Sequence, residues 1–193
     1  MTGIEVHAVD KDRWDDLVDL FGPSGAYSGC WCMWFRIPSG EFSRNGNAGN
    51  RAALESLVAD GEPIGLLGYA DGQPVGWCTV APRPAYPRIL RSPALKPEVP
   101  ADAGVWSVPC FFTRRGQRGG GVAAAMLEAA VAHARAQGAS ALEGYPVDTG
   151  QGRVPPPAEL YTGTVALFER AGFTEHRRPP TGRRVIMRRP IPG

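Results

Sequence analysis

A glycine- and arginine-rich segment has the composition of an anion-binding turn. Residues 113–123 have the sequence TRRGQRGGGVA and join a strongly apolar run to an alanine-rich run. If these flanks form a strand and a helix, the start of the helix supplies unpaired N–H groups and a partial positive charge. Gly119, Gly120 and Gly121 would let a phosphate approach the backbone closely, and the neighbouring arginines add charge. We therefore predict a phosphate site here; a tight turn without a ligand is the alternative.

Residue spacing excludes several other kinds of site. The segment lacks the pattern G-x-x-x-x-G-K-[ST] of a P-loop and the pattern G-x-G-x-x-G of a Rossmann turn. Cys30 and Cys32 are close in sequence, but a structural zinc site needs four nitrogen or sulfur ligands, and the other cysteines and the histidines are scattered. We expect no metal site.

Hydrophobic periodicity and turn signals predict the elements that must position the glycine-rich segment. Strands are predicted at Ile4–Val9, Ile64–Tyr69, Val75–Val80, Val105–Thr113, Ala141–Val147, Phe173–His176 and Arg184–Arg188. Helices are predicted from Asp10 or Asp12 to about Leu20, at Ala48–Ala59, from the glycine-rich segment to about Gly138, and at Thr164–Ala171. Asp71-Gly72 indicates a hairpin, and Pro109 indicates a bulge or an unpaired position in its strand. Residues 22–47 and the proline-rich stretch 82–100 are expected to be irregular.

Size and charge narrow the classes of partner. A length of 193 residues is typical of one domain, and we predict a single domain over residues 1–193. Residues 1–62 carry ten acidic and five basic side chains, whereas residues 63–193 carry nine acidic and sixteen basic ones. Residues 63–193 therefore have a net positive charge that would attract a polyanion. The arginine-rich residues 177–189 lack the interleaved aromatic side chains of a nucleic-acid surface, so we expect no nucleic-acid partner. No run is apolar enough to span a bilayer and Met1–Asp10 lacks a signal segment, so we expect a cytoplasmic protein without a membrane partner.

Two motifs together form a family signature. Arg118-Gly119-Gly120-Gly121-Val122-Ala123 fits the pattern [Q/R]-x-x-G-x-[G/A] at the start of a helix, and Gly172-Phe173 follows a short apolar helix near the end of the chain. In both motifs and in the predicted order of elements, the chain resembles the GNAT family of N-acetyltransferases. The resemblance implies an α/β (α+β) fold with a mixed, mostly antiparallel sheet of six to seven strands and about four helices.

The resemblance also implies a co-substrate, acetyl-CoA or another acyl-CoA. Its pyrophosphate would bind the backbone N–H groups after Arg118, and its pantetheine arm would pair with the edge of the preceding strand, opened by a bulge near Pro109. The cofactor-binding residues implied in this way are Phe111, Phe112, Thr113, Arg118, Gly119, Gly120, Gly121, Val122, Ala123 and Ala124.

The reaction implied is direct attack of an amine on the thioester, which needs a proton acceptor and benefits from an acid at the leaving thiolate. Glu143 lies where the family often has its general base; a solvent-facing strand residue is the alternative. The family's usual acid is a tyrosine, but Phe168 stands at that position. Tyr161 lies seven residues earlier and on the same side of a helix that extends that far, so we predict it as the acid. Tyr145 is a second option, and unassisted departure of the thiolate is the alternative.

The acceptor site of the family is formed by the early helices and nearby loops. The predicted acceptor contacts are Tyr27, Trp31, Trp34 and Tyr145, with packing in the core as the alternative for each. The expected activity is transfer of an acetyl or other acyl group from acetyl-CoA to a primary amine of a small molecule, in a ternary complex. A non-catalytic CoA- or phosphopantetheine-binding module, or an acyltransferase that uses a carrier-protein-bound donor, is the alternative. The oligomeric state is left open, with a homodimer as one option.

Overall fold

The computed structural model describes residues 3–98, 102, 104–150 and 155–192, and of Pro157 it describes only the backbone. Within these residues the strands are β1 (Glu5–Ala8), β2 (Leu66–Ala70), β3 (Gln73–Pro82), β4 (Val105–Thr113), β5 (Ala141–Gly144), β6 (Thr174–Arg177) and β7 (Ile186–Pro190). The helices are α1 (Trp14–Phe21), α2 (Ser39–Ala59), α3 (Pro87–Arg91), α4 (Val122–Ala136) and α5 (Val165–Arg170). Short 3-10 helices lie at Lys11–Arg13, Arg83–Ala85 and Pro157–Thr162.

The described strands form one sheet in the order β1-β2-β3-β4-β5-β7-β6. Among them only the β4–β5 pair is parallel, and the other neighbours are antiparallel. The hairpin expected at Asp71-Gly72 joins β2 to β3, and both turn residues have positive φ, 48° and 74°, as a type I′ turn requires. The predicted fold class, a mixed and mostly antiparallel sheet flanked by helices, is confirmed.

Side chains alternate between the two faces of the sheet. On one face, Met126 and Leu127 of α4 belong to the same buried apolar cluster as Val80 of β3. On the other face, Leu17 of α1 belongs to a second buried cluster with Trp77 of the same strand. The two faces follow from the two-residue period of a strand.

A third apolar cluster lies on the α1 side of the sheet, next to β5 and β7. Its buried members are Phe35, Ala81, Tyr86, Ile89, Leu95, Tyr145 and Ile186. Ala81 is four residues after Trp77 in β3 and therefore faces the same side. Helix α3 contributes Ile89, so the stretch after β3 folds back over this part of the sheet.

Strands β4 and β5 separate along their length. Their parallel pairing joins Val105–Val108 to Ala141–Gly144 and ends there, whereas β4 continues to Thr113. On its other side β4 remains paired with β3 as far as Thr113. The last residues of β4 therefore have a strand partner on one side and, among the described strands, a free edge on the other.

A bulge in β4 coincides with this separation. Thr79 and Ala81 of β3 are two residues apart in sequence, whereas their partners in β4, Cys110 and Ser107, are three residues apart. The extra residue lies at or next to Pro109, which has no N–H group to give to a neighbouring strand. The predicted bulge near Pro109 is confirmed.

Phe168 of α5 packs where the two strands part. The side chain is fully buried, and its ring lies edge-to-face with Phe111 and Phe173, with ring centroids 6.1 Å and 4.9 Å away. Gly144, the last residue of β5, lies so close to the ring that a Cβ atom would overlap it. The absence of a side chain at Gly144 therefore allows the ring to occupy this position.

The structure differs from the sequence-based expectations in several places. Helix α2 begins at Ser39, inside the region expected to be irregular, and bends at Gly46, where φ is 56° and ψ is −158°. Helix α3 forms within the proline-rich stretch because Pro87 occupies its first position, where no N–H partner is needed. Strand β5 ends three residues earlier than expected, and Val147 forms only isolated bridges. In the parts of the chain that the structure describes, no helix is both long enough and apolar enough to cross a bilayer.

We predict that Gly144→Ala lowers the free energy of unfolding by about 1–3 kcal/mol, because the new Cβ atom would displace the Phe168 ring. Gly40→Ala is the matched control, since Gly40 is exposed in the first turn of α2, where alanine favours the helix. Urea denaturation of both variants measures the difference. The double variant Gly144→Ala/Phe168→Leu should recover part of the loss, and equal stability of the two single variants would contradict the packing described.

Candidate functional site

The glycine-rich turn joins β4 to α4 and has an open backbone. Gly119 and Gly121 have φ values of 81° and 82°, in the left-handed region that favours glycine. A Cβ atom at either position would meet no heavy atom within 4 Å, so the space beside the turn is free. No side chain caps α4, and the Ala125 N–H donates to the Gly121 carbonyl. The N–H groups of residues 122–124 therefore have no partner within the helix.

Two contacts fix the start of α4 relative to the sheet. Val122 lies against Gly76 of β3, where any side chain would collide with it. Arg114 donates from Nε to the Pro74 carbonyl at 2.7 Å and from Nη2 to Asp19 at 2.6 Å, so it ties the turn to β3 and α1. This arginine therefore holds the turn in place and is not available as a free cation.

The other two arginines of the turn face solvent. Arg115 and Arg118 are exposed, and neither forms an ion pair with another described residue. Together with the unpaired N–H groups at the start of α4, they give this end of the sheet a positive surface. Such a combination suits a phosphate group.

The free edge of β4 leads directly into this turn. Phe111 packs against Phe168 on the α4 side of the sheet, and Phe112 packs against Phe21 on the other side, with ring centroids 5.8 Å apart. The side chains are thus held in the core, while the backbone up to Thr113 has no partner on the β5 side among the described strands. An extended ligand that carries amide groups can pair with such an edge as a strand does.

Glu143 of β5 lies in a buried network. Its Oε2 atom accepts hydrogen bonds from Arg188, at 2.6 Å from Nη2 and 3.1 Å from Nε, and from Arg83 Nη1 at 3.4 Å. Its Oε1 atom accepts a hydrogen bond from the Tyr145 hydroxyl at 2.9 Å. The Tyr145 hydroxyl also lies 2.9 Å from the Ser107 hydroxyl. The alternative of a solvent-facing strand residue is wrong, because Glu143 is only 1% exposed and two guanidinium groups compensate its charge.

Tyr145 keeps its proton in this network. Burial raises the pKa of Tyr145 well above its usual value, and the Glu143 carboxylate raises this pKa further. Both carboxylate oxygens of Glu143 therefore have donors, and an incoming amine would compete with these donors. The role of Glu143 as general base stays a prediction.

Tyr161 lies in the 3-10 helix Pro157–Thr162 and packs beside the third apolar cluster. Its hydroxyl oxygen accepts a hydrogen bond from Arg184 Nη2 at 2.7 Å. No described residue accepts a hydrogen bond from the Tyr161 hydroxyl in return, so its proton is free to be donated elsewhere. Its role as the acid stays a prediction.

A cavity of about 650 Å³ opens beside Tyr161. Three further segments line it, within residues 34–39, 87–95 and 179–184. Its apolar lining includes Phe35 and Leu95 of the third apolar cluster. Its basic lining consists of Arg88, Arg91, Arg183 and Arg184.

Sequence reasoning missed the cavity because it treated residues 82–100 as irregular. The signal that could have identified α3 is Pro87, since proline is favoured at the first position of a helix. The contribution of residues 179–184 has no comparable sequence signal, because they reach the cavity through the pairing of β6 with β7.

The four predicted acceptor contacts lie in different environments. Trp31 is only 3% exposed; it stacks on Trp14 and donates to Asn47 Oδ1 at 2.6 Å. Tyr145 is fully buried in the Glu143 network. These two predictions are corrected, because neither side chain reaches a surface that an acceptor could touch.

The other two predicted contacts are exposed. Trp34, 41% exposed, lines the cavity together with Tyr161. Tyr27, 63% exposed, lies outside the cavity lining. The structure therefore brings Trp34 and Tyr161 together and leaves Tyr27 apart from them.

Comparison with known families decides what kind of protein this is. The model of the acetyltransferase (GNAT) family matches residues 31–151. The chain belongs to the GNAT family. It is thus a transferase of the acetyltransferase class, and the matched range includes the free edge of β4, the glycine-rich turn and Glu143. A search of curated proteins gave no match.

Solved structures of GNAT acetyltransferases have the same fold at low sequence identity. The "histone acetyltransferase HPA2 and related acetyltransferase" of Corynebacterium glutamicum has a TM-score of 0.58 and 18% identity, over 100% of this chain and 98% of that one. The PaiA N-acetyltransferase of Thermoplasma acidophilum, in complex with coenzyme A, has a TM-score of 0.56 and 11% identity, and the match covers 98% of this chain and 100% of that one. The putative acetyltransferase yncA of Salmonella typhimurium, with its cofactor acetyl-CoA, has a TM-score of 0.54 and 12% identity, and the match covers 97% of this chain and 93% of that one. At these identities the likeness establishes the fold.

We predict that Glu143→Gln lowers the free energy of unfolding by about 3–5 kcal/mol, because the buried Arg83 guanidinium and its neighbour Arg188 lose their counter-charge. Glu128→Gln is the matched control: Glu128 is exposed on α4, pairs with Arg189 at 3.2 Å, and should cost less than about 1 kcal/mol. Chemical denaturation of the two variants measures both values. A similar small loss in both would show that the buried network does not stabilise the fold.

Proposed function

We propose that this GNAT protein transfers an acetyl group from acetyl-CoA to the primary amine of a small molecule, by direct attack in a ternary complex. The observation that carries the proposal is the continuity of the free β4 edge with the glycine-rich turn. The edge suits an extended chain of amides, and the turn suits a phosphate. A pantetheine arm joined to a pyrophosphate has these two parts in the same order. The GNAT structures that contain coenzyme A or acetyl-CoA support the proposal.

The residues present fit this co-substrate. The N–H groups of Gly119–Ala124 are the proposed pyrophosphate site, with Arg118 alongside, and the open space at Gly119 and Gly121 leaves room for it. Phe111, Phe112 and Thr113 would hold the pantetheine arm through their backbone groups, because the two phenylalanine side chains are committed to packing. When bound, acetyl-CoA supplies the acyl group as a thioester.

The chain's own residues would position the reactants and move protons. The attacking amine must lose a proton, and the departing thiolate must gain one. Tyr161 is the proposed acid, because the residue lines the cavity and its hydroxyl has no acceptor among the described residues. Phe168, at the position of the family's usual tyrosine, has no hydroxyl to donate.

In this proposal Glu143 is a positioning residue, in place of the general-base role predicted for it from the sequence, which stays a prediction. Its oxygens already accept hydrogen bonds from Arg83, Arg188 and Tyr145, so proton transfer to it would break a buried ion network. In this role Glu143 links β5 to Arg188 of β7. It also orients Tyr145, which follows the residue where the pairing of β4 with β5 ends. The proton of the amine then passes to solvent.

The proposed activity predicts amine-dependent release of a free thiol from acetyl-CoA. The protein is mixed with acetyl-CoA and a panel of primary amines, and the thiol is measured with a thiol reagent. Release that depends on both an amine and the protein is the expected result. Tight binding of CoA without release with any amine would overturn the transfer reaction and favour a module that only binds CoA.

We predict that Gly121→Glu raises the Kd for CoA by about 10-fold or more, because the carboxylate would repel the phosphates and fill the open space beside the turn. Gly61→Glu is the matched control, since Gly61 also has a positive φ, 74°, and open space around it, at the end of α2. Calorimetric titration with CoA gives both values. An unchanged affinity in a folded Gly121→Glu protein would refute the phosphate site.

We predict that Tyr161→Phe lowers kcat by about 100-fold and leaves KM for the amine nearly unchanged, because it removes the proton donor but keeps the ring that lines the cavity. Tyr69→Phe is the matched control: the Tyr69 hydroxyl donates to Asp16 at 2.7 Å, away from the cavity. Steady-state kinetics of the two variants are compared at several pH values. Equal kcat values for both would mean that the thiolate leaves without help from Tyr161.

A further inference from the structure

The cavity beside Tyr161 lies on the side of the sheet opposite α4. It is built over the third apolar cluster, from the segments around Trp34, α3 and the loop before β7. None of the residues of the glycine-rich turn contributes to its lining. The cavity and the proposed phosphate site are therefore two separate binding surfaces.

The lining of this cavity is strongly basic. Four arginines contribute to it, and no aspartate or glutamate does among the described residues. The ion pairs of the described residues use other arginines, and none of them involves Arg88, Arg91 or Arg184. These three arginines therefore line the cavity without a counter-charge from the described residues.

Arg88 is held in place by aromatic rings and a carbonyl group. Its guanidinium lies 3.8 Å from the centroid of the Trp34 ring and 5.6 Å from that of Phe42, and its Nε donates to the Ile37 carbonyl at 2.9 Å. Its Nη2 atom is buried and has no acceptor among the described residues. A buried guanidinium nitrogen without an acceptor is costly, so this atom points to an acceptor that the described residues do not supply.

Arg184 and Arg91 complete the basic surface in different ways. Arg184 donates to the Tyr161 hydroxyl and lies 5.9 Å from the centroid of the Phe35 ring, so neutral groups position it. Arg91, at the end of α3, is exposed, and its side chain forms no hydrogen bond or ion pair with the described residues. One arginine is thus fixed next to the proposed acid, and another can reach towards a ligand.

We infer that the cavity binds the acceptor, and that this acceptor is an amine that also carries an anionic group, a carboxylate or a phosphate. The inference rests on the proposed function, because Tyr161 connects the cavity to the transfer reaction. The anionic group would pair with the arginines, a pairing in which guanidinium geometry is favourable. After it has lost one proton to solvent, the amine nitrogen would form its bond to the acyl carbon as the carbon–sulfur bond breaks. The sulfur takes the Tyr161 proton, and the second proton that the nitrogen releases passes through solvent to restore the Tyr161 hydroxyl.

Paired amines test this inference, since the members of each pair share a carbon skeleton and only one of them carries the anionic group. The pairs are L-phenylalanine and L-phenylalaninamide, L-leucine and L-leucinamide, and O-phosphoethanolamine and ethanolamine, with spermidine as a cationic amine. Thiol release from acetyl-CoA gives kcat/KM for each. We expect at least one anionic member to exceed its neutral partner by about 10-fold or more, the range of a hydrogen bond to a charged group. The amino acid and phosphate pairs distinguish the two sources of the anionic group.

Variants at Arg91 assign any such preference to the cavity. Arg91→Gln should raise KM for the anionic amine and leave that for its neutral partner nearly unchanged, and Arg91→Glu should remove the preference. Arg135→Gln, an exposed arginine in the last turn of α4, is the matched control and should behave like the unmodified protein. No preference in any pair, a preference for the neutral or cationic amine, or a preference that both Arg91 variants retain would overturn the inference.

A binding measurement separates this inference from the proposed function. If no amine supports thiol release, the transfer reaction fails, and calorimetry with N-acetyl-L-phenylalanine and its amide still tests the cavity. Tighter binding of the acid than of the amide, lost in Arg91→Glu and kept in Arg135→Gln, supports an anion site. Equal binding of the two compounds, or binding of neither, overturns it.

Discussion

The early end of β5 is the constraint on which the rest of this structure depends. Backbone N–H and C=O groups need hydrogen-bond partners, and β4 loses its β5 partners after four residue pairs. Because β3 continues to pair with β4 as far as Thr113, the strand stays extended although one edge is open. Phe168 packs against Gly144 where the pairing ends, and the bulge near Pro109 lies next to the same point. Packing and backbone chemistry together therefore keep this edge available for a ligand.

The two faces of the sheet present different chemistry around that opening. On the α4 side, the glycine-rich turn offers N–H groups and exposed arginines to a phosphate. On the other side lie the buried Glu143 network and the arginine-lined cavity with Tyr161. An acyl donor bound along the β4 edge and an acyl acceptor bound in the cavity would approach the end of the β4–β5 pairing from different surfaces. Neither ligand would need to leave before the other binds, as a ternary mechanism requires.

Local signals in the sequence were sufficient for much of the fold and for the proposed phosphate site. The hairpin at Asp71-Gly72, the bulge near Pro109 and the glycine-rich start of α4 each depend on the conformational needs of a few adjacent residues. The partners of Glu143 could not be predicted in this way, because Arg83 and Arg188 lie 60 and 45 residues away in sequence. Likewise, the aromatic run that contains Trp31 and Trp34 gives no sign of which ring is buried, since the chain turns through positive φ at Trp31. Tertiary packing alone decides that Trp31 enters the core and Trp34 lines the cavity.

Amide hydrogen exchange of the full chain, measured with and without acetyl-CoA, tests the central claim most directly. The claim is that the free β4 edge and the glycine-rich turn form one continuous binding surface. It predicts slower exchange on addition of acetyl-CoA for residues 110–113 and 118–124, and unchanged exchange around Tyr27, which is exposed and lies outside the cavity lining. Unchanged exchange in the β4 edge and the turn, or protection confined to the arginine-lined cavity, would contradict it.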